Sequence, residues 1–469
     1  MSSFADADPP VALGALDGRY RPVVAPLVDF LSEAALNRMR VHVEVEWLLH
    51  LTDHKVVPGV RHLTDDEKAA LRRIVSEFGP AQVDELAAIE RQTVHDVKAV
   101  EYFLKRRLAD LVPADEDRGL SELVHFACTS EDVNNLSYAL MVRGAVRSVW
   151  LPRATAVADQ VAGMAGELRG IPMLAHTHGQ PATPTTLGKE LAVLAARLRR
   201  QLRRVAGAEY LGKLNGATGT FGAHLAAVPD ADWPGISRSF VEGLGLSWNP
   251  LTTQIESHDW QAELYADVAR FNRVLHNLCT DVWTYISLGY FAQVRGQGTV
   301  GSSTMPHKVN PIRFENAEAN LEISSGLLDV LSSTLVTSRL QRDLTDSTTQ
   351  RNVGTAFGHS LLAIDNVRRG LAGLDAVPEA MLRDLDQNWE VLGEAVQSAM
   401  RALAAQGVPG MEEPYERLKQ LTRGRRVDGP ALRAFVAGLG LPTEVEQRLS
   451  ELTPAGYTGL AGRLVDHLG

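Results

Sequence analysis

The amino-acid sequence predicts an all-α fold built around a central bundle of unusually long helices. Several long stretches carry apolar residues at intervals of three and four. Few stretches alternate polar and apolar residues as half-buried strands do, and no strand–helix alternation indicates a parallel sheet. With 469 residues, 45% of them hydrophobic and 22% charged, the chain is long enough for several domains with buried cores.

The longest periodic stretch predicts one long helix with a single apolar seam, as in a helical bundle. Its apolar residues are Leu264, Val268, Phe271, Leu275, Leu278, Val282 and Ile286. A second seam follows Thr183 and Pro184 and runs from Leu187 to Val205, so we expect Thr183 to cap this helix and Pro184 to be its first residue. Further helices are predicted near 31–51 and over 321–335.

Composition shifts divide the chain into three predicted domains. The stretch 112–119 resembles a linker, a polar stretch follows Arg351, and the sequence AVPEA precedes a last helical region. We therefore expect an N-terminal helical domain over 1–118, a central long-helix domain over 119–371 and a C-terminal helical domain over 372–469.

Charge and cysteine content exclude several classes of protein. Lys and Arg number 47 against 57 Asp and Glu, and this net charge of −10 argues against a nucleic-acid-binding protein. The basic run 197–204 lies opposite a leucine seam and is predicted to be a solvated helix face. Cys128 and Cys279 are too few for a disulfide scaffold or a Cys-rich zinc site. The N-terminus lacks signal-peptide features and no apolar run suits a membrane span, so we expect a cytoplasmic protein without membrane attachment.

Two motifs favour functions that their context opposes. Residues 296–301 match the dinucleotide pattern G-x-G-x-x-G, but they follow a predicted long helix instead of a strand, which argues against nicotinamide binding. His176 and His178 could share a metal, yet no neighbouring ligand completes a site. We therefore predict no metal site.

Five polar segments flank the long helices and contain the candidate functional residues. The richest, 296–316, combines glycines and paired serines with His307, Lys308 and Asn310 between two prolines. Such a loop could close over an anionic substrate or could be an ordinary surface loop, and composition leaves both open. The second, 175–186, places His178 just before a predicted helix, where it is either exposed or catalytic.

The remaining segments also allow a structural or a functional interpretation. In 125–135, Thr129 or Ser130 could cap a helix. In 93–104, His95 and Asp96 lie at a polar helix start. In 338–352, arginines alternate with aspartates, as in a salt-bridged helix start or an arginine clamp for phosphate or carboxylate.

These motifs together resemble a known enzyme family. The sequence GSSTMPHKVNP is similar to the signature of the fumarase/aspartase superfamily, whose members release fumarate. In combination with THGQPATPT, HFACTSED, HDVKAVEYFL and RDLTDST, in this order along almost the whole chain, it resembles the adenylosuccinate lyase family in its longer bacterial type.

The resemblance implies an activity and an assembly. Adenylosuccinate would be split into AMP and fumarate, and the succinyl-aminoimidazole-carboxamide ribotide would be split in the same site, with no cofactor. The family fold implies three helical domains and a homotetramer whose active sites take residues from three subunits. Two alternatives stay open: another fumarate-releasing lyase such as an argininosuccinate lyase, or a non-catalytic helical scaffold.

The resemblance also assigns roles to residues. Ser302 matches the base that removes the proton, and His178 matches the acid that protonates the departing nitrogen. The remaining matched positions would bind substrate, with Lys308 and Asn310 on the carboxylates: Arg19, Tyr20, His95, Asp96, Thr129, Ser130, Gln254, Ser303, Met305, Lys308, Asn310, Arg342, Ser347 and Arg351. One position departs from the family, which often has Asn where this chain has Val94, so an Asn side-chain contact there is absent or replaced.

Overall fold

The computed structural model describes residues 13–113, 117, 119–293, 309–422 and 427–469. The described residues are mostly helical. The α-helices are α1 Arg21–Leu31, α2 Glu33–Asp53, α3 Asp65–Ser76, α4 Pro80–Thr93, α5 Asp96–Leu111, α6 Ser130–Ala145, α7 Leu151–Glu167, α8 Leu187–Ala206, α9 Gly222–Ala227, α10 Trp233–Gly243, α11 Asp259–Ser287, α12 Ile312–Leu335, α13 Thr345–Gln350, α14 Val353–Leu371, α15 Pro378–Asp386, α16 Gly393–Ala405, α17 Pro414–Thr422, α18 Gly429–Ala437, α19 Thr443–Ser450 and α20 Ala461–Leu464.

The predicted long helices are confirmed. The seam from Leu264 to Ile286 lies within α11, whose 29 residues make it the longest helix described. The seam over 321–335 lies within α12, and the helix predicted near 31–51 is α2. In α11, six of the seven seam residues are fully buried or nearly so, and these are Leu264, Val268, Phe271, Leu275, Leu278 and Val282.

The described strands are short and pair in twos. They are β1 Pro172–Thr177, β2 Gln180–Thr186, β3 Leu211–Gly212, β4 Ser247–Trp248, β5 Phe291–Gln293 and β6 Leu374–Ala376. β1 pairs with β2 and β5 with β6 antiparallel, and β3 pairs with β4 parallel. These strands qualify the all-α prediction but leave the helical architecture as the main feature.

The predicted start of the helix after Pro184 is wrong. Thr183 and Pro184 lie in β2, and α8 begins at Leu187. The hydroxyl that serves the helix start belongs to Thr186, whose Oγ1 accepts a hydrogen bond from the Lys189 N–H at 3.2 Å. Either Thr183 or Thr186 could accept a hydrogen bond from a free N–H in the first turn of the helix that follows it. The local sequence could therefore not distinguish these two possible helix starts.

The chain forms two compact units, each assembled from separated stretches. The first comprises 1–155, 201–273 and 319–365, and the second comprises 156–200, 274–318 and 366–469. The predicted three-domain division along the sequence stays a prediction.

The core of the first unit contains a buried polar network between long helices. The Asn272 amide donates to the Ser324 hydroxyl at 2.9 Å, and the Ser360 hydroxyl donates to the Asn272 carbonyl oxygen at 2.8 Å. The Trp150 indole N–H donates to the Ser360 hydroxyl at 2.8 Å. Aromatic packing surrounds it, with the rings of Trp150 and Phe271 5.0 Å apart. Because these polar groups form hydrogen bonds with one another, they can be buried without the cost of an unpaired donor or acceptor.

The second unit contains a separate apolar core near the end of the chain. It is formed by residues of α15 to α19 and by Leu174 of β1, with Leu392, Val396, Met400 and Val436 fully buried. The β1–β2 hairpin therefore packs one residue into the core of this unit.

The surface confirms the interpretation of the basic run 197–204. Arg197 donates to the Asn277 side chain at 2.8 Å, and Arg199 pairs with Asp159 at 2.9 Å. Arg204 pairs with Asp267 at 2.7 Å. These arginines lie on a helix face and are engaged by neighbouring side chains. No helix within the described ranges is long and apolar enough to cross a membrane.

Candidate functional site

The candidate residues fall into three groups by location. Those in the first unit are Arg19, Tyr20, His95, Asp96, Thr129, Ser130, Gln254, Arg342, Ser347 and Arg351. His178 and Asn310 lie in the second unit. Ser302, Ser303, Met305 and Lys308 lie outside the described residues, as does most of the glycine-containing loop.

His95 and Asp96 form the start of α5, as predicted. The His95 ring Nδ1 accepts a hydrogen bond from the Lys98 N–H at 3.1 Å, so this histidine acts as the helix cap. Asp96 is the first helical residue, and its carboxylate pairs with the guanidinium of Arg40 at 2.7 Å. Burial alone would raise the pKa of Asp96. The charge and hydrogen bond of Arg40, the Val97 N–H and the Arg351 charge together outweigh burial and hold the pKa below its usual value.

Arg351 and Ser347 lie beside Asp96. One Arg351 nitrogen donates to the Ser347 hydroxyl at 2.7 Å and to the Ser347 carbonyl at 3.0 Å. Its other terminal nitrogen lies 3.5 Å from an Asp96 oxygen and 3.6 Å from a Glu33 oxygen. The structure thus brings Ser347 and Arg351, which are four positions apart, next to Asp96, which is 255 positions from Arg351.

Thr129 and Ser130 lie at the start of α6, as predicted for a helix cap. The Asp132 carboxylate accepts the Thr129 N–H at 2.9 Å and pairs with Lys213 at 2.8 Å, both side chains being fully buried. Asp132 also accepts N–H groups from Asn215 and Gly216. One buried carboxylate therefore fixes the Thr129–Ser130 corner against the 215–216 turn.

The group of Arg351, Ser347 and Asp96 is the first arginine centre. Arg342 and Gln254 form a second arginine centre. The Gln254 amide donates to the Ala217 carbonyl at 3.0 Å, and its oxygen lies 3.5 Å from an Arg342 nitrogen. Arg342 also pairs with Glu131 at 2.9 Å. Burial raises the pKa of Glu131, and the Arg342 charge opposes that rise. The salt-bridge interpretation of 338–352 is therefore confirmed for Arg342, whose side chain remains one-fifth exposed, and the arginine-clamp interpretation stays a prediction.

The sequence analysis missed the residues that connect the two arginine centres. Arg40 donates to the Asn134 carbonyl oxygen at 2.9 Å, and the Asn134 amide donates to Glu131 at 2.8 Å. Arg40 lies four residues after Leu36 on the buried side of α2, and a charged residue at that spacing was the available signal. A charge within an apolar stripe indicates a buried partner.

Arg19 and Tyr20 precede α1, with the Arg19 guanidinium 5.8 Å from the centre of the Tyr20 ring. Their segment packs on α14 where Leu16 lies against Gly358, and a side chain at Gly358 would collide with it. A cavity of about 270 Å³ is bordered there by Asp17 of the same segment and by Arg351. The segment 16–20, with the sequence LDGRY, therefore lines the same cavity as Arg351.

His178 does not precede a helix, which corrects the sequence prediction. It is exposed in the turn of the β1–β2 hairpin, where Thr177 pairs with Gln180. His178 and Gly179 both have positive φ, 53° and 72°, as a two-residue type I′ turn requires. Asn310 is also exposed and lies just before α12, next to Val309, whose carbonyl accepts a hydrogen bond from Gln293 at 2.8 Å.

The candidate residues of the first unit, here called the first-unit cluster, are suited to an anionic ligand with a polar body. Arg342 and Arg351 supply forked N–H donors, the groups that match phosphate and carboxylate oxygens. Ser347, Thr129 and Ser130 add hydroxyl groups. Within the part of the chain that the structure describes, no three His, Cys, Asp or Glu side chains are arranged to hold a metal ion.

Known families and relatives match this chain over nearly its whole length. A family model described as "Lyase" matches residues 18–322, and one described as "Adenylosuccinate lyase C-terminal" matches 338–458. An adenylosuccinate lyase of Escherichia coli K12 is 48% identical over 97% of this chain and 98% of its own. Those of Haemophilus influenzae Rd and Legionella pneumophila Corby are 47% and 43% identical over the same shares.

Solved structures show the fold. A fumarate lyase from Mesorhizobium sp. BNC1 superposes with a TM-score of 0.74 at 19% identity, covering 94% of this chain and 97% of that one. A 3-carboxy-cis,cis-muconate lactonizing enzyme from Pseudomonas putida gives a TM-score of 0.70 at 19% identity, covering 95% and 96%. The matched family models and the full-length relatives establish that this chain is a lyase and belongs to the adenylosuccinate lyase family.

Proposed function

We propose that this lyase eliminates fumarate from adenylosuccinate, giving AMP, and from succinyl-aminoimidazole-carboxamide ribotide, giving the corresponding amide. The observation that carries the proposal is identity of 40 to 48% to adenylosuccinate lyases over nearly the whole chain. The arginine centres supply cationic groups of the kind that a dianionic phosphate needs. They also explain how a chain with net charge −10 binds an acidic substrate, because the local field decides binding.

The reaction needs a base, an acid and groups that stabilise the developing carbanion. In this proposal Ser302 removes the proton next to a carboxylate, and His178 protonates the nitrogen as the C–N bond breaks. Lys308 and Asn310 bind the carboxylates, and Ser303 and Met305 complete the loop around them. Support for His178 comes from its turn, which presents the imidazole on a short, exposed, conformationally restricted loop.

The phosphate end is assigned to the first-unit cluster. Arg351 and Ser347 would bind phosphate oxygens, with His95, Asp96, Arg19 and Tyr20 around them. Arg342 and Gln254 would meet the rest of the nucleotide together with Thr129 and Ser130. The contacts among Asp96, Ser347 and Arg351 support this assignment because they hold a guanidinium and a hydroxyl side by side.

An ultraviolet assay with adenylosuccinate, with fumarate and AMP identified as products, tests the reaction. We expect turnover by the natural chain and a loss of about 10²- to 10⁴-fold in kcat for His178→Asn and for Ser302→Ala. Asn favours the same type I′ turn, so His178→Asn removes the imidazole while retaining the hairpin. Circular dichroism of both variants checks that the fold is unchanged.

Two outcomes would select an alternative. Turnover of argininosuccinate in place of adenylosuccinate would identify a different succinyl substrate. A folded protein that turns over no succinyl compound, with Ser302→Ala indistinguishable from the natural chain in every assay, would favour a helical scaffold.

We also propose a homotetramer with shared active sites, supported by the exposed face of α12. Opposite its buried leucines, this helix exposes Ala319, Ile323, Gly326, Val330 and Ser333 at alternating spacings of three and four. Ile323 is 49% exposed and Val330 is 56% exposed. An apolar and small-residue seam of this length on a helix matches the face of another helix, and a second copy of the chain supplies one.

Shared sites make a specific prediction about mixed variants. Ser302→Ala and His178→Ala proteins, each inactive, should regain activity after their subunits exchange, because some sites would then take an intact residue from each. Exchange confirmed by native mass spectrometry without recovered activity would contradict shared sites.

Domain organisation and location complete the proposal. We assign helical domains to 1–118, 119–371 and 372–469, on the composition shifts at 112–119, after Arg351 and at AVPEA. We place the enzyme in the cytoplasm, in keeping with its free cysteines Cys128 and Cys279. Limited proteolysis near 112–119 and 372 and cell fractionation test these assignments.

A further inference from the structure

Arg40 occupies the centre of the buried network between the two arginine centres. It is 2% exposed, and each of its three guanidinium nitrogens donates to a different side chain. The acceptors are Asn37 at 3.1 Å, Asn134 at 2.9 Å and Asp96 at 2.7 Å. A buried arginine with all three nitrogens engaged has a fixed orientation, since any rotation would leave donors unpaired.

The network leads from Arg40 to both arginines that face the candidate site. In one direction Asp96 lies between Arg40 and Arg351. In the other direction Asn134 connects Arg40 to Glu131, which pairs with Arg342. Helices α2, α5 and α6 meet in this way on one guanidinium group.

We propose that Arg40 is a positioning residue that orients Asp96, and through it Arg351, for binding the phosphate of the nucleotide. This inference rests on the proposed function. Asp96 also neutralises part of the Arg351 charge, and Arg40 offsets that effect by balancing the Asp96 carboxylate. Asp96 and Glu33 both lie beside Arg351. Without Arg40, the negative charge of Asp96 would act on Arg351 unbalanced, and Arg351 would attract a phosphate more weakly.

Arg38 provides a matched control on the same helix. It is as buried as Arg40, at 3% exposure, and its guanidinium donates to the backbone carbonyl of Asp29. Neither residue of that contact belongs to the candidate site. Arg38→Gln therefore removes an equally buried arginine from α2 without changing the connection to Asp96.

The experiment compares the natural chain with Arg40→Gln, Arg38→Gln, Asp96→Asn and the double variant Arg40→Gln/Asp96→Asn. Kinetics with adenylosuccinate give kcat and KM, and calorimetric titration with AMP gives a Kd without turnover. We expect Arg40→Gln to raise KM and the AMP Kd about tenfold or more with a much smaller change in kcat. Arg38→Gln should leave both constants within about twofold of the natural chain.

The double variant distinguishes positioning from general destabilisation. If Arg40 acts through Asp96, its substitution has little further effect on KM once Asp96→Asn is present. Multiplicative effects in the double variant, or equal KM changes in Arg38→Gln, would overturn the inference. If Arg40→Gln does not fold, Arg40→Lys is used instead, because lysine keeps the positive charge but cannot make all three contacts. Arg40→Lys should then raise KM in the chain with Asp96 and leave KM unchanged in the chain with Asp96→Asn.

The two proposals fail in different ways. A natural chain that neither releases fumarate from adenylosuccinate nor binds AMP would contradict the proposed function. A natural chain that is active, with Arg40→Gln unchanged in KM and in AMP affinity, would contradict the role of Arg40 alone.

Discussion

At the residue scale, Val94 is in an unfavourable backbone conformation. It ends α4 with φ at 52° and ψ at 30°, the left-handed region, although it is β-branched and 89% exposed. Branching at Cβ makes this region costly, and Asn tolerates it better than any residue except Gly. An Asn at position 94 would therefore relieve the strain in the turn before His95.

Val94→Asn should therefore stabilise the protein. We expect a gain of about 1 kcal/mol in the free energy of unfolding, since the exposed valine loses little packing. Urea denaturation measures it. Val94→Ala keeps a Cβ in the left-handed region and should gain less than Val94→Asn. Equal or lower stability of the Asn variant would show that Val94 is not strained.

A second residue-scale prediction concerns His258, which is 2% exposed and whose ring lies 2.7 Å from the Gln350 amide. Burial lowers its pKa to about 4. Between pH 6.5 and pH 4 the unfolded chain takes up a proton that the folded chain does not, so folding stability falls as pH falls. The full effect is about 3 kcal/mol.

His258→Asn should flatten this pH dependence, since Asn does not titrate and suits the φ of 63° at this position. Free energies of unfolding measured from pH 7 to pH 4 should decline less in the variant than in the natural chain. Parallel curves would mean that His258 has the same pKa in the folded and the unfolded protein.

At the element scale, the contact between α7 and α8 depends on Gly188. A Cβ there would lie 2.4 Å from the Ala165 carbonyl oxygen and 2.5 Å from the Arg169 Cα. Gly163 in α7 has nothing within 4 Å of its Cβ position. Both glycines lie in helices, so they differ in the space around them and not in backbone conformation.

Alanine at these two positions should have opposite effects. Gly188→Ala should destabilise by about 1–3 kcal/mol or more, because backbone atoms must move to admit the methyl group. Gly163→Ala should stabilise by about 0.5–1 kcal/mol through reduced freedom of the unfolded chain. Thermal unfolding of the two variants compares them, and a stable Gly188→Ala protein would show that the contact can relax.

Elements differed in how far sequence could predict them. The long helices were predictable because each buries one stripe of apolar residues at helical spacing. The β1–β2 hairpin was missed because its strands are buried at one end and exposed at the other, with no alternation along their length. Without that period of two, the segment gave no strand signal, and His178 was placed beside a helix.

The candidate site was predictable in its segments and not in its connections. The family resemblance selected Asp96, Ser347 and Arg351, and Arg351 contacts both of the others in the structure. Arg40 and Asn134 lie 94 positions apart, and no local spacing relates them. Their pairing follows from how α2 packs on α6, which depends on the whole core.

At the scale of the whole molecule, the exposed seam of α12 should control assembly. Val330→Asp places a charge on that seam, where a second helix would bury it at a cost of several kcal/mol. If the proposed homotetramer with shared active sites forms through this seam, the variant should dissociate to smaller species in light scattering and lose activity. Leu382→Asp changes a residue of similar exposure, 43%, on α15 and should leave the assembly intact. A Val330→Asp tetramer would show that another face is used.

The Asn272 network also gives the long helices a single permitted alignment. A purely apolar seam with a leucine at every turn would pack almost equally well if one helix slid along another by a turn. Such a slip would leave the Asn272 amide and the Ser324 and Ser360 hydroxyls facing hydrocarbon, at about 1–3 kcal/mol for each unpaired group. The network thus selects the one alignment of these helices in which each of its buried polar groups has a partner.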